Sequence, residues 1–213
     1  MISLAAITRE SIKNQIYDLI RDKILKQELA FGEKINIVSL TREFNVSNTP
    51  VREALSMLEQ DGLIESNTNY GYQVVNMNDA KLINISETVK VILLGAYVDI
   101  VSSKKEPELV QAMEQTLSIQ KEKVEEASNE EFVRYAIDFD YSLVSVCHNK
   151  YLTDVFGNLI DLFTLVVLYE HETYGNDRYF HIKEHERILE SVQSGDRDRT
   201  LHLILQHYNR QHL

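Results

Sequence analysis

The chain has 213 residues, 44% of them hydrophobic, and a formal net charge of −11, which suits one large or two small water-soluble domains. No run of about 18 apolar residues and no basic leader with an apolar core occur, so we expect no membrane span, no secretory signal and a cytoplasmic location. A single cysteine excludes an intrachain disulfide framework, while only two prolines and seven glycines favour a mainly α fold.

The negative charge is concentrated in the second part of the chain. Residues 1–77 contain 8 Lys and Arg against 10 Asp and Glu, whereas residues 78–213 contain 14 against 23. Sequence-independent affinity for DNA comes from cations placed against phosphates. We therefore predict two domains, 1–77 and 78–213, of which only the first is suited to DNA.

Three helices and a ribbon are predicted in the first domain. Apolar residues at helical spacing predict helices at 11–25 and at about 38–44. A third helix is predicted to start at Pro50 with Thr49 as its N-cap, because proline is tolerated at the first helical position. "LIES" and "YGYQVV" flank the polar "NTN" and predict a two-stranded ribbon. This order is the layout of a winged helix-turn-helix.

The third helix has a polar N-terminal end beside an apolar seam. If the seam is buried, the polar residues face outward: Ser47, Asn48, Thr49 and, one turn on, Arg52. Helix N-termini favour phosphate, and Ser, Asn and Arg side chains reach base edges in the major groove. An ordinary capped helix in a small core explains the same pattern, so the pattern alone leaves both interpretations open.

The segment "VSNTPVREALSMLEQDGLIES", with the following "YGYQVV", resembles the GntR family of bacterial transcription regulators. The usual form in that family is V-S-R-T-P-V-R-E-A-L, followed by an R-G wing. The resemblance implies that Ser47, Thr49 and Arg52 contact DNA, and that Gly71 lets the wing tip approach the minor groove.

Three positions depart from the family pattern, since Val38, Asn48 and Tyr70 stand where relatives often carry arginine. Each departure removes a charge-assisted contact. In the third predicted helix, Asn48 favours adenine over guanine if it contacts a base. In the wing, Tyr70 occupies the position before Gly71 where relatives usually have arginine. We therefore expect an altered operator or weaker binding.

The second domain is predicted to be an all-helical bundle. Helical spacing continues throughout, and the connections are short. Six helices are predicted, at about 79–103, 107–127, 129–148, 151–171, 178–193 and 197–211.

Polar residues interrupt the apolar faces of these helices at Asp140, His185 and His207. An acid and two imidazoles pointing into one core are costly unless they pair, bind a ligand or hold a metal. The alternative is that each is an ordinary hydrogen-bonded residue. For His171 and His202 the sequence identifies no partner.

The segments "FDYSLVSVCHNKYL" and "EHERILESVQSGD", with His207, resemble the FCD effector domain of FadR-type GntR members. In relatives that bind a divalent metal, an aspartate and three histidines hold it. His185 and His207 match two of those histidines, whereas Ala136 takes the aspartate position and Asp140 the first histidine position. The remaining set of Asp140, His185 and His207 suits one Zn, Ni, Fe or Mn ion per subunit, with open positions for water or a carboxylate effector. The alternative that the same residues bind an organic ligand directly, without a metal, is retained.

The function predicted is a non-enzymatic, homodimeric transcription regulator that binds double-stranded DNA at a pseudo-palindromic operator and responds to a small-molecule effector, an organic acid by resemblance. Two alternatives are retained. Asp140, His185 and His207 mimic the facial triad of non-haem iron oxygenases, which would make the chain a metal-dependent enzyme. The departures at Val38, Asn48 and Tyr70 would instead fit a dimerisation partner that has lost DNA recognition.

Overall fold

The computed structural model describes residues 11–67, 71–175 and 177–208. The chain divides into two compact units, Met1–Asn76 and Met77–Leu213. The described residues form nine α-helices and one small antiparallel sheet, which confirms the predicted fold class.

The N-terminal unit is a winged helix-turn-helix. Its elements in chain order are α1 Ile12–Leu25, β1 Lys34–Ile35, α2 Ile37–Glu43, α3 Asn48–Gln60, β2 Ile64–Asn67 and β3 Gly71–Val74. The strands lie in the order β1-β3-β2, with β3 antiparallel to both neighbours. The prediction of a two-stranded ribbon was therefore incomplete, because a two-residue strand such as β1 is too short to show an alternating pattern.

Side-chain caps determine where the helices of this unit begin, and one apolar seam holds them together. Ser11 accepts a hydrogen bond from the Asn14 N–H at the start of α1, and Asn36 does the same for Ser39 at the start of α2. Asn45 has φ +52°, a left-handed conformation that asparagine tolerates, and so turns the chain from α2 towards α3. Helix α1 packs against α3, and the buried seam consists of Ile16, Ile20, Ile24, Val51, Ala54, Leu55 and Leu58.

The described residues of the C-terminal unit form a bundle of six helices, as predicted. They are α4 Asp79–Ser102, α5 Glu106–Lys123, α6 Asn129–Val146, α7 Lys150–Tyr174, α8 Arg178–Ser194 and α9 Arg197–His207. Ser128 and Glu131 form a capping box at the start of α6. Gly195, with φ +71°, ends α8, and the Asp196 side chain then caps α9.

Helix α6 is the centre of this bundle because it packs against α4, α5, α7 and α8. Its partner α8 also packs against α5 and α9. Large fully buried rings, among them Phe132, Phe139, Phe156 and Phe163, fill the space between these helices. Polar residues on the inner faces of α6, α8 and α9 are consequently held inside the unit.

Among the described residues one helix, α7, is long and apolar enough to cross a membrane by length and composition alone. Within the C-terminal unit it packs against α4 and α6, and its segment 163–168 is buried in protein. Asp154 and Asp161 also lie on it, and Asp154 is paired with Lys150. These features are those of a core helix in a bundle.

Candidate functional site

The exposed end of α3 carries the polar residues singled out in the sequence. Ser47, Asn48, Thr49 and Arg52 are all exposed, whereas the seam residues Val51, Ala54, Leu55 and Leu58 are each 0% exposed. The first turn contains no acidic side chain. The backbone N–H groups of Ser47, Asn48 and Thr49 and the positive end of the helix dipole therefore face solvent without an opposing carboxylate, which suits an anion such as a phosphate.

The start of α3 differs from the sequence prediction. Ser47, not Thr49, is the N-cap, and Asn48, Thr49 and Pro50 occupy the first three helical positions. Proline still fits, because none of the first N–H groups has an intrahelical partner. Ser47 makes no side-chain capping bond, and the third helical residue, a usual donor to a cap, is Pro50, which has no N–H. The Ser47 hydroxyl is thus not used to cap its own helix.

The wing of the N-terminal unit is held to α3. Ser66 on β2 donates a hydrogen bond to Glu59 on α3. Gly71 starts β3 opposite Asn67 and has φ +76°, a conformation that only glycine adopts easily. Tyr70 lies outside the described residues.

A pocket in the C-terminal unit brings Asp140, His185 and His207 together. One ligand atom from each lies within 4.8 Å of the others, although the residues come from α6, α8 and α9. Ala136, one turn before Asp140, also lines the pocket, as do apolar groups that include Phe132 and Phe163. The cavity has a volume of ≈ 20 Å³, which is room for an ion or a water molecule rather than for a large organic ligand.

Two further residues, to which the sequence analysis assigned no role, fix the orientation of the imidazoles. Gln120 Oε1 accepts a hydrogen bond from His185 Nδ1 at 2.8 Å, and Glu184 Oε2 accepts one from His207 Nδ1 at 2.9 Å. Phe139 stacks on the His185 ring with 4.1 Å between centroids. The amide oxygen of Gln120 and the carboxylate oxygen of Glu184 can only accept hydrogen bonds, so each Nδ1 carries a hydrogen. The Nε2 atom of each ring is then the nitrogen that can coordinate a metal.

The two Nε2 atoms of His185 and His207 face each other at 3.4 Å. If both rings are neutral, their lone pairs point at one another, which is unfavourable unless a cation lies between them. Zn–N bonds of 2.0–2.1 Å in tetrahedral geometry place two ligand nitrogens roughly 3.3 Å apart. Burial, with smaller effects from His207 and His181, holds the pKa of His185 well below its usual value, which keeps this ligand neutral. The donor set and its spacing fit a divalent transition metal.

His171 has a partner that the sequence did not identify. Its Nε2 lies 3.2 Å from His181 Nε2, and both residues line the same pocket. The contact joins the end of α7 to the start of α8 across the intervening turn, so helical periodicity within one segment gives no sign of it. His202, by contrast, is exposed on α9.

Each structural unit of the chain is similar to a known protein family. The family model described as bacterial regulatory proteins, gntR family, matches residues 12–74, and the FCD domain model matches residues 91–210. The uncharacterized HTH-type transcriptional regulator YdhC of Bacillus subtilis is 26% identical over 92% of this chain and 87% of its own length. A probable D-xylose utilization operon transcriptional repressor of Paenarthrobacter nicotinovorans is 23% identical over 94% and 87%.

The crystal structure of a putative GntR transcriptional regulator from Rhodococcus sp. RHA1 has the same fold. It aligns with a TM-score of 0.77 and 14% identity over 93% of this chain and 94% of that one. Each family model matches most of one structural unit. The chain therefore belongs to the GntR family of bacterial transcription regulators, with an N-terminal DNA-binding helix-turn-helix domain and a C-terminal FCD effector domain.

Proposed function

We propose that the chain acts in the cytoplasm as a homodimer that places one α3 helix in the major groove at each half of a pseudo-palindromic operator. The observation that carries this proposal is the exposed polar N-terminus of α3, backed by the fully buried seam on its opposite face. A two-fold dimer presents two such helices, so operator symmetry mirrors protein symmetry.

Each residue at this surface has a distinct role in the proposal. Ser47 and Thr49, at the helix N-terminus, bind phosphate together with the backbone N–H groups. Asn48 favours adenine, because an amide matches the donor and acceptor pair on the adenine edge. Arg52 supplies the cation of the interface. Gly71, at the start of β3, approaches the minor groove in this proposal, and Tyr70, which lies outside the described residues, is the DNA contact beside it.

The C-terminal pocket is proposed to hold one divalent ion, Zn, Ni, Fe or Mn, through Asp140, His185 and His207. Gln120 and Glu184 orient the two imidazoles from behind, an outer contact that metal-bound histidines usually make. Three protein ligands leave at least one coordination position for water or for an effector oxygen.

An organic acid suits that open position because a carboxylate is a good oxygen ligand. Two relatives of this chain, 20% and 21% identical, are named as gluconate operon repressors, and gluconate carries a carboxylate. The effector alters DNA binding only if it binds one arrangement of the DNA-reading domains more tightly than another.

The enzyme alternative has less support. A facial triad accounts for the pocket but leaves the N-terminal unit and its exposed helix without a role. The alternative of a partner that has lost DNA recognition is weakened by Asn48 and Arg52, because both retain groups that bind bases or phosphates.

Selection of duplexes from a random pool by the purified full chain tests this function. We expect enrichment of a two-fold symmetric sequence and a complex that contains two chains by sedimentation analysis. Enrichment of an asymmetric site bound by one chain, or no enrichment at all, would contradict the proposal. Elemental analysis of the same preparation tests the metal, with one equivalent per chain as the expected minimum.

A further inference from the structure

Two histidines of the pocket lie outside the proposed Asp140, His185 and His207 site. His171, near the end of α7, and His181, in the first turn of α8, have their Nε2 atoms 3.2 Å apart. Their ring centroids are separated by 5.1 Å at an interplanar angle of 40°. His171 is buried, and the His181 side chain is 18% exposed, so the pair lies on the pocket wall rather than at the protein surface.

The separation of these nitrogens matches that of two ligands on one ion. Bonds of 2.0–2.1 Å in tetrahedral geometry require roughly 3.3 Å between the nitrogens. The 3.2 Å of this pair and the 3.4 Å between His185 and His207 lie on either side of that value. A hydrogen bond between the two imidazoles is the competing explanation, and it requires one ring to carry its hydrogen on Nε2.

Glu184 favours the ligand-ready form of His181. Its Oε2 lies 2.9 Å from His207 Nδ1 and 3.9 Å from His181 Nδ1. The carboxylate accepts a hydrogen bond from His207 Nδ1, whereas at 3.9 Å from His181 Nδ1 it contributes only an electrostatic preference for a hydrogen on that nitrogen. Outer carboxylates orient metal-bound histidines in this way.

We infer that His171 and His181 form a second binding position for a divalent transition metal in the same pocket. Imidazole nitrogens select Zn²⁺, Ni²⁺ or Cu²⁺ over Mg²⁺ or Ca²⁺. Two protein ligands leave at least two coordination positions, which water or the oxygen atoms of a bound anion fill. This position shares its pocket with the proposed metal site but does not require that site to be loaded.

The net charge of the pocket determines which non-protein ligands occupy the remaining coordination positions of two bound ions. Two divalent ions bring four positive charges, and the carboxylates of Asp140 and Glu184 offset two of them. The remaining positive charge favours a small anionic ligand that fits the cavity of ≈ 20 Å³. The second position therefore favours small anions over neutral ligands in this pocket.

The number of metal ions bound per chain tests the inference. The full chain is prepared without a histidine tag, and its metal is first removed with a chelator. Equilibrium dialysis against Zn²⁺ and against Ni²⁺, followed by elemental analysis, is expected to give two equivalents per chain. His171→Gln and His181→Gln are each expected to keep one equivalent, while His207→Gln loses the other. His202→Gln, an exposed change on α9, serves as the matched control and keeps both.

A spectroscopic measurement identifies the ligands directly. In His207→Gln, where the first position keeps a single imidazole, added Cu²⁺ is expected to show electron paramagnetic resonance coupling to two imidazole nitrogens. Circular dichroism of each variant checks that the helices are retained.

Three results would overturn the second position. The first is a single equivalent that survives His171→Gln and His181→Gln, which leaves the proposed Asp140, His185 and His207 site standing. The second is a single equivalent weakened by all three His→Gln variants in the pocket, which means one shared ion. The third is the absence of any bound metal, which refutes the proposed metal site as well.

Discussion

We expect Arg52→Ala to weaken operator binding strongly and to leave the stability of the chain almost unchanged. Arg52 is exposed on α3, one position after the fully buried Val51. Alanine is at least as good a helix former as arginine. An exposed substitution of this kind changes the free energy of unfolding by about 0.5 kcal/mol or less.

The expected loss of binding follows from the number of contacts removed. One arginine contact with a base or phosphate is worth about 1–3 kcal/mol, which is about 5-fold to 150-fold in affinity. A homodimer makes the contact twice, so the total is about 2–6 kcal/mol, or roughly 30-fold to more than 10⁴-fold. If Arg52 contacts phosphate, the slope of log affinity against log salt falls by about one for each half-site.

Fluorescence anisotropy with a selected operator duplex at several salt concentrations measures both quantities. Arg134→Ala is the control, because it removes the same charge from an exposed position on α6 in the other unit. The control is expected to bind within about twofold of wild type, since it removes no side chain from α3 or the wing. Equal affinity of Arg52→Ala and Arg134→Ala, with both chains folded, would refute the assignment of α3 to the DNA groove.

Three further outcomes are expected. Leu55→Ala, at a 0% exposed position of the α3 seam, should lower the stability of the N-terminal unit by about 2–5 kcal/mol in urea unfolding; a change below about 1 kcal/mol would contradict the packing. Zn²⁺ at 100 times its dissociation constant should stabilise the native chain by about 2.7 kcal/mol and raise the melting temperature by roughly 5–10 °C. In His207→Gln this rise in melting temperature should be at least halved. An equal rise in the variant and the wild type would contradict the proposed metal site. Burial and the nearby Asp99 carboxylate raise the pKa of Cys147 to about 11, so at pH 8 only about 0.1% is thiolate. Alkylation by iodoacetamide should be more than about 100-fold slower than for free cysteine, and should accelerate as the pH rises towards 11.

The N-terminal unit was largely predictable because its signals are local. The apolar seam of α3, the left-handed Asn45 and the glycine of the wing are each set by residues within a few positions of one another. The start of α3 was misplaced by two residues, since serine, asparagine and threonine in succession all make good N-caps. Choosing among them depends on how the preceding turn leaves α2, which local propensity does not specify.

The pocket was predictable only in part because its contacts are tertiary. Asp140, His185 and His207 each lie on an apolar helical face, so periodicity and family resemblance found them. Gln120 lies 65 residues from His185, and nothing in the sequence around a glutamine on α5 distinguishes it from a surface residue. The pairing of His171 with His181 likewise depends on how α7 and α8 are joined.

The end of α7 that carries His171 also holds the beginning of α4. Tyr169 and Tyr174 both donate hydrogen bonds to Asp79 Oδ1, at 3.1 Å and 2.9 Å. Asp79 is the first residue of α4 and lies two residues after Met77, where the second unit begins. An ion held between His171 and His181, as proposed above, would fix the same two turns of α7 that carry these tyrosines. The pocket is therefore joined, through one helix and two hydrogen bonds, to the segment from which the chain continues towards the DNA-binding unit.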